Sequence, residues 1–123
     1  MENRLGKIEI LGKEYPLNFS VRLGQEFSEA LEAKPDGVFG IEKQNIRLLA
    51  LMLKDGAAFK RIVMGEDIDP PTEEQLELIF TPGDNAMIVA AIQDTIKKSG
   101  VRMIQARPKK NEDPGTGAKS PKA

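Results

Sequence analysis

The sequence predicts a mainly α-helical domain: an N-terminal β-hairpin packed on a small bundle of four to five helices, followed by a disordered tail. Three observations predict it. Residues 8–19 alternate apolar and polar side chains with a period of two on either side of a Gly-Lys pair. From Ser20 onward the apolar residues recur at helical spacing. Beyond Ile104 no Val, Ile, Leu, Met or aromatic residue remains, so burial there cannot offset the entropy of ordering the chain. The expected organisation is therefore one domain over residues 1–106 and a basic Pro/Gly tail over 107–123.

In the hairpin, Ile8 and Ile10 alternate with Glu9, while Tyr15, Leu17 and Phe19 alternate with Pro16 and Asn18. Folding at Gly12-Lys13 would set Ile10 opposite Tyr15 and Ile8 opposite Leu17, all on one face. With a two-residue turn there, Pro16 would fall in a hydrogen-bonded pair, and proline has no N–H to give. A four-residue loop over 11–14 is expected instead, which turns the Pro16 nitrogen outward. A lone hairpin is marginal in water, so its apolar face is expected to lie on helices. The strand over 7–11 then keeps an edge open to a partner strand or a second copy.

Ser20 is placed to cap the first helix, whose inner face is Leu23, Phe27, Ala30 and Leu31; Pro35-Asp36-Gly37 ends it. A second helix is expected over 41–54, carrying Ile46, Leu49, Ala50 and Leu53 in one stripe and Leu48, Leu51 and Met52 beside it. Asp55-Gly56 is expected to break it. A short amphipathic segment follows, with Ala58, Phe59, Ile62 and Val63 inward. After an acidic, proline-containing loop, Thr72-Glu-Glu-Gln75 has the form of a capping box, and the helix it starts buries Leu76, Ile79 and Phe80. Thr81-Pro82-Gly83 stops that helix. Asp84 is expected to cap the last one, whose stripe is Met87, Ile88, Ala91, Ile92 and Ile96. Lys97 and Lys98 suit the negative end of its dipole, and Gly100 its left-handed terminus.

Composition excludes much chemistry. There is no cysteine and no histidine, hence no disulfide framework, no thiolate nucleophile and no imidazole base or ligand. Eighteen basic residues face nineteen acidic ones, a balance that argues against a general binder of nucleic acid or anionic membrane. No apolar run is long enough to span a bilayer, and no signal-peptide core opens the chain; a cytoplasmic location is expected. Glu66, Asp67 and Asp69 resemble the opening of a calcium loop, but Pro70 and Pro71 follow where further ligands belong. Glu73 and Glu74 fall in a first helical turn, where negative charge is favoured without any catalytic role. No cofactor, no metal and no enzymatic activity are expected. Arg107, Lys109 and Lys110 open the basic tail and carry a second reading, a small nucleic-acid-associated adaptor, although no aromatic residue is interleaved for base stacking.

The stretch Ile-Leu-Gly-Lys-Glu-Tyr-Pro-Leu-Asn-Phe over 10–19, running at once into a helix, resembles the start of tail assembly chaperones from long-tailed bacteriophages and prophages. The later apolar helix at 46–53 and the Thr-Glu-Glu start at 72–74 are similar to that family as well. The resemblance implies a non-enzymatic assembly factor in the bacterial host cytoplasm, absent from the mature virion. It would bind the tape measure protein, whose long apolar helices otherwise aggregate, and help recruit tail tube subunits. Candidate partner-binding residues are Ile8, Ile10, Tyr15 and Leu17 on the hairpin, Met64 and Phe80 at helix ends, and Arg107, Lys109 and Lys110 in the tail. Self-association through the hairpin edge or the apolar helices is expected too.

Overall fold

The computed structural model describes residues 4–100, so the tail and its boundary lie outside the described residues. An antiparallel hairpin, β1 (Gly6–Ile10) and β2 (Lys13–Leu17), is followed by α1 (Gly24–Glu32), α2 (Gly40–Met64), α3 (Glu73–Ile79) and α4 (Asn85–Ser99), with a 3-10 turn at Pro82–Asp84. The expected class, a hairpin on a bundle of four to five helices, is what forms, with four α-helices among the described residues.

The turn of the hairpin is Leu11-Gly12, and the pairs are Ile10 with Lys13, Ile8 with Tyr15, and Gly6 with Leu17. This corrects the expected loop over 11–14 and moves the register by two residues. Both turn residues have positive φ, 52° and 79°, the mirror-image geometry whose twist matches that of the strands. A two-residue slip leaves every side chain on its original face, so alternation alone cannot distinguish the registers. The closing pair of such a turn is hydrogen-bonded and the pairs alternate from there. Lys7–Pro16 is therefore a non-bonded pair, and the Pro16 nitrogen does point away from β1.

A larger correction concerns α2, which runs unbroken through Asp55-Gly56 for 25 residues. The reason is tertiary. A Cβ on Gly56 would lie 2.2 Å from the Pro16 carbonyl oxygen and 2.7 Å from its carbon, so the helix and β2 touch backbone to backbone there. Asn18 continues the seam, its N–H donating to the Met52 carbonyl at 3.2 Å. The helix propensity that glycine sacrifices, about 1 kcal/mol, is the cost of that approach. Gly65 ends α2 in the left-handed conformation, and the Glu66 N–H reaches back to the Lys60 carbonyl at 3.1 Å.

The core lies between the hairpin and the helices. Ile8, Ile10 and Leu17 enter it from the strands, Leu49, Met52 and Leu53 from α2, Leu76 from α3, and Ile88 and Ile92 from α4. Phe19 and Phe27 meet edge to face at 4.8 Å. Gly6 lies hard against Thr95, which seats β1 on α4. The Thr72 capping box forms as expected. Other details differ. The Ser20 hydroxyl accepts from the Leu23 N–H at 3.3 Å, and the helix proper begins only at Gly24. Asp84 stands at the N-cap position of α4 as expected, but its carboxylate accepts from the Thr81 N–H and closes the 3-10 turn instead of bonding to the helix. Leu31, Ile62, Val63 and Met87 are exposed where burial was expected; each lies at the rim of its apolar stripe, beyond the reach of the neighbouring elements among the described residues.

Gly56→Ala should lower stability in urea denaturation by about 2 kcal/mol, overpacking outweighing the gain in helix propensity. Gly24→Ala, whose Cβ would meet nothing within 4 Å, should be neutral or stabilising. A Gly56→Ala protein as stable as the parent would rule out the backbone contact.

Candidate interaction surface

Among the described residues, the main buried polar cluster sits on this seam. Asp55 is only 5% exposed. Its Oδ2 accepts from Asn18 Nδ2 at 3.1 Å and from the Ser20 N–H at 2.8 Å, and its Oδ1 accepts from the Ser20 hydroxyl at 2.9 Å. Arg22 approaches Oδ1 at 3.6 Å from the solvent side. Behind Asn18, Arg4 Nε donates to Asn18 Oδ1 at 3.1 Å, and the Arg4 guanidinium stacks 4.9 Å from the Phe59 ring centre. Both carboxylate oxygens accept hydrogen bonds from the segment after β2. The arrangement is that of a clamp holding the segment after β2 against α2.

The clamp leaves the two strand edges unequal. The outer edge of β2 faces α2. The outer edge of β1 presents the backbone groups of Lys7 and Glu9, which belong to non-bonded pairs and point away from β2. Among the described residues no hydrogen bond to another element engages them. The side chains of Ile8, Ile10 and Leu17 are core, so they are withdrawn from any partner, and Tyr15 is half-buried under Lys13, whose ammonium lies 5.2 Å from the ring centre. Met64 is 37% exposed at the end of α2. Phe80 is half-buried and packs against the core. Arg107, Lys109 and Lys110 lie outside the described residues.

Sequence reasoning missed several exposed apolar residues: Val38, Phe39 and Ile41 at the start of α2, Leu78 on α3, and Leu11 in the hairpin turn. Leu11 and Phe39 share a second property. They are the described non-glycine residues with positive φ, 52° and 59°, and bulky side chains are outliers there. The signal for Leu11 was available, since a Leu-Gly pair occupies a place that Asn-Gly fills best.

Two of the acidic residues singled out in the sequence are engaged in ion pairs. Glu66 pairs with Lys60 at 3.8 Å and Glu73 with Arg47 at 3.3 Å. Among the described residues no three metal-binding side chains converge, and no helix is long and apolar enough to cross a membrane. No known family matches the chain, and no curated protein or solved structure matches it either.

Removing the clamp should be costly. Asp55→Ala leaves the Ser20 N–H, the Ser20 hydroxyl and Asn18 Nδ2 without an acceptor and should destabilise by about 3 kcal/mol or more. Asp94→Ala, which breaks an exposed pair with Lys98, should change stability by less than about 0.5 kcal/mol. Equal effects in thermal or urea unfolding would deny Asp55 this role.

Proposed function

We propose that this chain is a non-enzymatic tail assembly chaperone of a long-tailed phage or prophage. In the bacterial host cytoplasm it shields the apolar helices of the tape measure protein and helps recruit tail tube subunits. It leaves before the virion matures. The resemblance of residues 10–19 and their helical sequel supports the reading, as does the hairpin-on-helices fold.

The observation that carries it is the pairing of strain with exposure. Leu11 is 82% and Phe39 52% exposed, and both hold left-handed backbone. Each costs about 1 kcal/mol in backbone strain and leaves apolar surface in water. Neither stabilises the isolated chain, and both suit contact with an apolar partner. Ile62, Val63 and Met64 add apolar surface at the end of α2 opposite Phe39. At 1.5 Å per residue the two ends are roughly 35 Å apart, a separation that suits a long helical partner engaged along its length.

Co-expression with the tape measure protein encoded beside this chain tests the reading. The chain should co-purify with that protein and raise its soluble yield. Replacing both strained residues, Leu11→Asn with Phe39→Asn, should raise stability by about 1 kcal/mol per site while lowering the yield of soluble tape measure. No co-purification and no gain in solubility would refute the function. A stabilised double variant with undiminished capacity would refute the role of these two residues.

A further inference from the structure

We infer that β1 is a self-pairing strand: two copies of the chain join β1 to β1 antiparallel, forming a four-stranded sheet in the order β2-β1-β1-β2. The sequence of β1, Gly-Lys-Ile-Glu-Ile, selects both the partner and the register.

The first constraint is the phase of the backbone. Only Lys7 and Glu9 turn their N–H and C=O groups outward, because both belong to non-bonded pairs within the hairpin. A strand added to this edge must match them with outward groups of its own. A second β1 does so in a register that sets Lys7 opposite Glu9 of the second copy, Glu9 opposite Lys7 of the second copy, and Ile8 opposite itself. Both Lys–Glu pairs then exchange N–H···O bonds in each direction. A two-fold axis passes between the two Ile8 residues, so the contact is closed and self-complementary.

The second constraint is charge. Lys7 and Glu9 lie exposed on the outer face of the hairpin. In the register described, each ammonium stands directly across from a carboxylate, a favourable cross-strand pair. Sliding by two residues, the smallest step that keeps the faces matched, sets Lys7 against itself or Glu9 against itself, and both are repulsive. The sequence therefore admits one antiparallel self-pairing with matched bonds and matched charges.

The third observation is that Glu9 meets no cation among the described residues. It stands directly opposite Glu14, a like-charge pair that weakens a hairpin. Lys7 lies diagonally across the face and pairs with Glu14 at 3.6 Å; among the described residues no ion pair reaches Glu9. Lys7 of a second copy supplies the missing charge. The inference is independent of the chaperone reading, since it concerns what the strand binds among copies of this chain.

Light scattering and sedimentation on the full chain test it through charge reversal. The parent should form dimers, and Glu9→Lys should weaken dimerisation at least tenfold. In the same variant the hairpin itself should be no less stable, because a cation then faces Glu14; an unchanged or raised melting temperature separates lost pairing from lost folding. Lys7→Glu should weaken dimerisation similarly. Mixing the two single variants should restore dimers, now heterodimers, because each supplies the charge that the other lacks. The double reversal Lys7→Glu with Glu9→Lys should restore homodimers. A parent chain monomeric at millimolar concentration overturns the inference, as do single variants that dimerise like the parent. A mixture or double reversal that fails to recover dimers overturns the register.

Discussion

A buried carboxylate and a missing side chain, side by side in the middle of the longest helix, set the terms for this molecule. Asp55 takes hold of Asn18 and Ser20 just after β2, and Gly56 lets the Pro16 backbone come against α2. Each depends on the other. The carboxylate reaches the Ser20 N–H at 2.8 Å because no Cβ holds the strand away. The glycine is tolerated in mid-helix because the hydrogen bonds beside it, charge-assisted and largely desolvated, outweigh its propensity cost. A two-stranded hairpin has little stability of its own; here it becomes part of the fold by being fastened to a helix through its second strand.

That fastening has directional consequences. One edge of the sheet is consumed inside the molecule and the other is left outward. β1 is held from beneath, by Ile8 and Ile10 in the core and by Gly6 against Thr95, so its outer backbone groups remain available. The same logic applies to α2. Its middle is buried among the hairpin and the other helices, while both of its ends emerge with apolar side chains. The molecule thus combines a buried centre with a strand edge on one side and exposed apolar residues at both ends of its longest helix.

Much of the fold was legible because local and global preferences agree. The capping box at Thr72, the left-handed stop at Gly100 and the alternation of the hairpin each specify their own geometry, and each formed. The failures come where tertiary contact overrides local preference. Asp55-Gly56 has the composition of a helix break, and only the approach of Pro16 and the donors of Asn18 and Ser20 explain its continuity. A signal was nevertheless present: Leu48, Met52, Asp55 and Phe59 follow helical spacing, which places a carboxylate within a buried stripe and calls for donors. The exposed apolar surface was less legible. Ile8, Ile10 and Leu17 carry the alternation that made them conspicuous, and that same alternation takes them into the core. The residues left outside, Leu11 and Phe39, are revealed by backbone angles that no pattern of hydrophobicity encodes.

Residue-resolved amide hydrogen exchange of the dilute protein tests the seam most directly. The Asn18 N–H bonds to the Met52 carbonyl and the Ser20 N–H to the Asp55 carboxylate, so both should be protected as strongly as the centre of α2, opening only with the whole fold. The Lys7 and Glu9 amides, on the open edge, should exchange orders of magnitude faster. Rapid exchange at Asn18 and Ser20, with α2 still protected, would mean that the hairpin is not held by the Asp55–Gly56 seam and would contradict the account at its foundation.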